Sequence, residues 1–189
     1  MKERIRQILS QRERRNIIIT DAPLAPAAVL LPLYEKDGEY YVLFTKRTEK
    51  VEYHKGQICF PGGGQDKRDK SLEDTALRET FEEIGVRPQD VEILGQLDNM
   101  GTVTSSFLIT PFVSLIPYPY EFVVNEDEIE ELVEVPISAL LDKNNYREEV
   151  RVHQGRTYRG SFYHYQGEVI WGATASILNQ FLNLVFASD

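Results

Sequence analysis

The sequence predicts a layered α/β sandwich, and three observations predict it. Short apolar stretches bounded by turn signals are interleaved with helical patterns along the chain. One of those patterns, inside PGGGQDKRDKSLEDTALRETFEEIGV, carries signals at both ends of a helix. No internal repeat or low-complexity tract offers another architecture.

Taken in order, residues 2–12 place Ile5, Ile8 and Leu9 on one face and read as a short N-terminal helix. Residues 27–34 form a nearly continuous apolar strand, and Asp37-Gly38 turns it into a second strand over 40–45. The central helix starts at Ser71, whose hydroxyl can cap a free N–H, with Asp74 as an imperfect capping-box partner, and stops at Gly85. Leu72, Ala76, Leu77, Thr80, Phe81 and Ile84 make its apolar stripe, which leaves Glu79, Glu82 and Glu83 on the other side. Further strands are expected near 91–97, 108–116 and 132–135, with Pro111 marking an edge, a bulge or a strand start. Tyr158, Phe162, Tyr163, His164 and Tyr165 alternate like a strand that either packs in the core or lines a pocket. After Trp171-Gly172, a last helix over 173–186 presents Ile177, Leu178, Phe181, Leu182 and Val185 to the sheet or to a second subunit of a homodimer.

At 189 residues the chain suits one domain, 1–189, whose central part runs over about 22–160. A net charge of −9 argues against nucleic-acid binding, which needs a basic surface to neutralise many phosphates. No apolar run spans a membrane, and the N-terminus lacks the apolar centre of a signal peptide, so a cytoplasmic protein is expected. The lone Cys59 permits no internal disulfide and reads as a small buried hydrophobe. His54, His153 and His164 are too scattered for a zinc site.

Residues three and four apart on a helix are neighbours, so Glu79 faces both Glu82 and Glu83 at a cost of roughly 0.2–0.5 kcal/mol per like-charged pair. A hard divalent cation, Mg²⁺ or Mn²⁺, reverses that sign and takes oxygen ligands together with substrate phosphates. The plainer reading is a solvated acidic face balanced by Arg78. Just upstream, Gly62, Gly63 and Gly64 let the backbone approach a ligand closely. Lys46, Arg47, Lys50 and Lys55 form a local basic stretch for a small anionic substrate, interrupted by Glu49 and Glu52.

The order strand, glycines, helix, Glu-Glu, Gly resembles the Nudix hydrolase signature. That signature runs Gly, five residues, Glu, seven residues, Arg-Glu-aliphatic, one residue, Glu-Glu, one residue, Gly-aliphatic. Gly64, Arg78-Glu79, Glu82-Glu83 and Gly85-Val86 match, whereas Lys70 stands at the first Glu and Thr80 at the aliphatic residue. A narrower resemblance is to the coenzyme A pyrophosphatase branch. It rests on Leu43-Phe44-Thr45-Lys46-Arg47-Thr48, then Gly56 and Phe60-Pro61-Gly62-Gly63, with Glu52 where that branch has a basic residue.

The resemblance implies the Nudix fold, a mixed β-sheet sandwiched between α-helices, and a metal-dependent pyrophosphohydrolase acting on a small nucleotide. The substrate implied is coenzyme A or a derivative, cut to adenosine 3′,5′-bisphosphate and 4′-phosphopantetheine. It also implies Glu79 and Glu83 as leading metal ligands, Glu82 as a third ligand or a base, Arg78 as the ion-pair partner of a carboxylate, and the backbone of Gly63-Gly64 in the metal or phosphate shell. A later loop adds a glutamate in many relatives, and Glu128 is the candidate here. Two rivals stay open: hydrolysis of ADP-ribose or another nucleoside diphosphate derivative, and a non-catalytic nucleotide-sensing module.

Overall fold

The computed structural model describes residues 1–17, 23–50, 55–102, 106–153 and 156–187, with residues 17, 151–153 and 156–158 described by backbone alone. In chain order the elements are α1 (Lys2–Ser10), β1 (Asn16–Ile17), β2 (Ala25–Lys36), β3 (Glu39–Arg47), β4 (Ile58–Cys59), β5 (Gly62–Gly64) and α2 (Leu72–Ile84). There follow a 3₁₀ turn (Pro88–Asp90), β6 (Glu92–Gln96), β7 (Asn99–Gly101), β8 (Phe107–Leu115), β9 (Ile129–Pro136) and α3 (Ile137–Leu141). The chain closes with β10 (Tyr146–His153), β11 (Arg156–Tyr165), β12 (Glu168–Ile170) and α4 (Gly172–Phe186).

Among the described residues, nine strands form one mixed sheet along β1-β7-β8-β2-β3-β4, with β5 added to β2, β6 to β8 and β9 to β3. Strands β2 and β8 run parallel at its centre. Helix α2 packs on one face through Ala28, Leu30, Ala76 and Phe112. On the other face Leu31, Leu33 and Val113 meet Ile5 and Leu9 of α1 and Leu178, Phe181 and Val185 of α4. Burial on both faces is why β2 reads as a continuous apolar run rather than an alternating one. The apolar side of α4 is therefore covered within the chain. A separate antiparallel sheet, β10-β11-β12, sends the buried Tyr163 into the same core, where its hydroxyl donates to Asn179 Oδ1 at 3.1 Å. Phe162 and Tyr163 are thus interior residues, 3% and 2% exposed, rather than the wall of an open pocket.

Three expectations are corrected here. Pro111 is neither at an edge nor at a strand start, because it lies mid-strand in β8 opposite Val29. Its carbonyl accepts from Leu97 N–H at 3.0 Å, so its missing donor faces the junction between β6 and β7, where no ladder bond is lost. The glycine run forms a short strand, with Ala27, Ala28 and Val29 opposite Gly64, Gly63 and Gly62 on the part of β2 that β3 leaves free. The buried stripe of α2 is rotated: Thr75, Ala76, Thr80, Glu83 and Ile84 are buried, and Phe81 is 49% exposed. No helix among the described residues is long and apolar enough to cross a membrane.

Candidate active site

Helix α2 is held at both ends as its sequence requires. Ser71 Oγ accepts from Asp74 N–H at 3.1 Å, Asp74 Oδ2 accepts from Lys70 N–H at 3.1 Å, and Gly85 ends the helix with φ 73°. That fixes the axial position of the glutamates beside β5. Glycine at 63 gives the Glu79 carboxylate its place, because a Cβ there would lie 2.5–2.7 Å from the carboxyl atoms and push them aside. One step along, Gly62 N–H donates to Glu83 Oε2 at 3.1 Å.

Glu83 is 2% exposed, so the helix buries a carboxylate that sequence periodicity assigned to the solvent side. Its partners explain the rotation: besides Gly62, Arg47 donates from Nη1 to Glu83 Oε1 at 3.2 Å. Even so, burial pushes the Glu83 carboxyl up to about 8, with the charges of Glu79 and Glu128 adding to the rise and Arg47 and the Gly62 N–H opposing it. Burial also raises Glu79, against the pull of Arg78. Glu128 approaches from the loop before β9, its Oε2 3.6 Å from Arg47 Nη2 and its Oε1 accepting from Asn125 Nδ2 at 3.3 Å. That loop is pinned to the helix, since Asn125 N–H donates to the Glu83 carbonyl at 2.9 Å.

The second arginine organises the outer half of the cluster. Arg78 donates to Glu79 Oε1 at 2.7 Å, to Glu82 Oε2 at 2.9 Å and to the Gly64 carbonyl at 3.2 Å. It also makes a two-pronged bond to Asp69, Nε to Oδ1 and Nη2 to Oδ2, both at 2.9 Å. The Asp69 side chain is 4% exposed, and the guanidinium holds its carboxyl well below the usual carboxylate range. Sequence reasoning missed Asp69. It directly precedes Lys70, the position where the signature has Glu, so a carboxylate displaced by one residue supplies the partner that Arg78 needs. The available signal was an Asp beside an unexpected Lys.

The expected residues therefore divide. Glu79, Glu83, Glu128, Arg47, Arg78, Gly62, Gly63 and Gly64 converge, and Glu82, 48% exposed, stands on the rim. Lys46 does not join them. It lies on the opposite face of β3 from Arg47, donating to Glu131 at 3.0 Å and Glu168 at 2.8 Å, and a strand irregularity separates the two residues. Lys50 is exposed beside Asp127, and Lys55 is exposed. Glu52 and His54 lie outside the described residues. Burial pushes the Cys59 thiol up to about 11, which leaves it a poor nucleophile.

Among the described residues no group of three acidic, His or Cys side chains is already arranged as a metal cage; the carboxylates contact arginines instead. The donor set nevertheless fits a hard divalent ion. It offers carboxylate oxygens from Glu79, Glu82, Glu83 and Glu128, two of them with pKa values raised by burial and by neighbouring carboxylates, against a glycine backbone that leaves room at their tips.

Residues 23–155 match the NUDIX domain family. The chain is 40% identical over 154 residues to the protein named "Uncharacterized Nudix hydrolase NudL" of Photorhabdus laumondii, covering 82% of this chain and 81% of that protein. The NudL of Pectobacterium atrosepticum is 38% identical over 154 residues, covering 82% and 79%. In three dimensions the chain resembles the Ap4A hydrolase of C. elegans (TM-score 0.52, 16% identity, 62% of this chain and 84% of that one). It also resembles a MutT/nudix family protein of Enterococcus faecalis (TM-score 0.51, 17% identity, 92% and 65%), and both likenesses bear on the fold alone. A glycine strand set against a helix of clustered glutamates, in a chain that matches over most of its length, makes this protein a member of the Nudix hydrolase family.

Proposed function

We propose that this Nudix hydrolase cleaves the diphosphate linkage of coenzyme A or a derivative, giving adenosine 3′,5′-bisphosphate and 4′-phosphopantetheine, with Mg²⁺ or Mn²⁺ held by Glu79, Glu83, Glu128 and Glu82. One observation carries the reading. The branch-like segment Leu43-Phe44-Thr45-Lys46-Arg47-Thr48 and the glutamate helix meet at a single ion pair, Arg47 with Glu83. The two resemblances thus describe one site rather than two.

In hydrolysis, the oxygen of water forms a bond to one phosphorus, the bridging P–O bond breaks, and the departing phosphate takes the electron pair. The divalent ion supplies charge neutralisation of the diphosphate and acidifies water. The chain's own residues do the rest. Arg78 and Asp69 fix Glu79 and Glu82, the Gly62 N–H fixes Glu83, and Arg47 is the cation placed to meet a phosphate oxygen. A carboxylate of the cluster accepts the proton of the attacking water.

The test is a panel of coenzyme A, an acyl-coenzyme A, ADP-ribose, NADH and diadenosine polyphosphates with Mg²⁺ or Mn²⁺, products identified by mass. Adenosine 3′,5′-bisphosphate from the coenzyme A compounds is expected. Cleavage of ADP-ribose with coenzyme A left intact would overturn the substrate, and tight binding without any cleavage would leave the sensing module.

A further inference from the structure

Arg47 occupies the oxygens that a metal would need. Its Nη1 lies 3.2 Å from Glu83 Oε1 and its Nη2 lies 3.6 Å from Glu128 Oε2, so one guanidinium bridges carboxylates from two elements. Glu83 Oε2 takes the Gly62 N–H, so Oε1 is the oxygen that Arg47 contests. The Nε of Arg47 is buried and makes no hydrogen bond among the described residues. Yet the backbone around it is pinned: Arg47 N–H donates to the Gln57 carbonyl at 3.0 Å, Gly56 N–H to the Arg47 carbonyl at 3.1 Å, and Thr48 N–H to the Glu128 carbonyl at 2.9 Å. The guanidinium can therefore leave without moving either carboxylate's backbone.

We propose that Arg47 is the stand-in cation of the acidic cluster: a divalent ion competes with it for Glu83 and Glu128, and the guanidinium so released takes a phosphate of the substrate. A divalent ion drawn to those oxygens repels a guanidinium held 3.2–3.6 Å from them, and it is the stronger claimant on a cluster that also holds Glu79. Once displaced, Arg47 offers Nε together with an Nη, the fork that matches two phosphate oxygens. The stored contact thus keeps buried Glu83 from standing uncompensated, and its release couples metal entry to phosphate binding. The second half rests on the diphosphate hydrolase reading, and the first half does not.

Mn²⁺ titrated calorimetrically into the protein without substrate tests the first half. Competition predicts that Arg47→Gln binds Mn²⁺ several-fold more tightly than the wild type, and that Arg47→Lys, which keeps the charge, stays near it. Weaker Mn²⁺ binding by Arg47→Gln would show that the arginine merely arranges the ligands, and would overturn the proposal. If Arg47→Gln folds poorly alone, the rise in melting temperature on adding Mn²⁺ replaces the titration: a larger rise than in the wild type supports competition, and a smaller one overturns it. For the second half, methylenediphosphonate, an uncleavable diphosphate, is titrated into the Mn²⁺-loaded proteins. Loss of about tenfold or more in affinity is expected for both variants, since Lys lacks the fork, and unchanged affinity would remove Arg47 from phosphate binding. Neither titration uses coenzyme A, so a wrong substrate and a wrong role for Arg47 remain distinguishable.

Discussion

Glu83 is a carboxylate 2% exposed whose pKa burial raises to about 8. Glu83→Gln keeps the shape and the Gly62 contact but removes the charge proposed to hold the metal, so turnover should fall by at least two orders of magnitude, roughly 3 kcal/mol in the barrier. Thermal stability should fall, because the variant takes from Arg47 its 3.2 Å partner and leaves the guanidinium with Glu128 at 3.6 Å. Near-normal kcat at saturating Mn²⁺ would refute the ligand assignment. Asp69 is shifted the opposite way. Its folded pKa lies below the unfolded value of about 3.9, so it contributes stability that is present above that value and lost as pH falls through the folded one. Asp69→Asn should therefore lower stability at pH 7 by about 1–3 kcal/mol and flatten the acid limb of the stability curve. Parallel curves for the two proteins would mean that the Arg78 pair adds nothing to folding. Neither residue was fully legible in the sequence. The period of the apolar residues turned Phe81 inward and Glu83 outward, because Glu83's partners, Arg47 and Gly62, are distant in the chain, and the Lys70 departure read as a loss because its replacement sits one position earlier.

At the scale of elements, the pairing of β5 with β2 converts three glycines into a platform beneath α2. Gly63 is the informative member, since its backbone suits any residue and only the Glu79 carboxylate stands in the way of a side chain. Gly63→Ala should barely change stability, because the colliding group is the free end of a long side chain. It should cut kcat by about a hundredfold, since catalytic groups tolerate little displacement. Circular dichroism and steady-state kinetics on one preparation separate the two effects, and wild-type turnover would show that Glu79 has room to spare. Strands β2, β3, β8 and β9 and helices α1, α2 and α4 were legible from periodicity, caps and the Asp37-Gly38 turn. Strand β5 was not, because three glycines carry no strand propensity and pair only where a neighbour's backbone offers a vacant edge. The meander β10-β11-β12 was visible only as one alternating aromatic run, since its pairing is nonlocal.

Over the whole molecule, the two faces of the central sheet divide the work. The face under α2 carries the acidic cluster, and the opposite face is closed by α1 and α4, both outside the residues 23–155 that match the family. Those two helices must therefore stabilise the sheet without entering the chemistry. Leu9 isolates that role: it is 5% exposed, and it packs so closely on Gly95 of β6 that a Cβ there would lie 2.6 Å from its own Cβ. Leu9→Ala should cost about 2–5 kcal/mol, the range for truncating a buried leucine where neighbours cannot collapse into the gap. Because Leu9 reaches the cluster only through the thickness of the sheet, kcat and KM of the folded fraction should remain at wild-type values. Urea denaturation monitored by tryptophan fluorescence, with kinetics in the native baseline, reads both quantities. A fall in kcat without loss of stability would mean that the N-terminal helix positions the catalytic face, and the division of labour between the two faces would have to be abandoned.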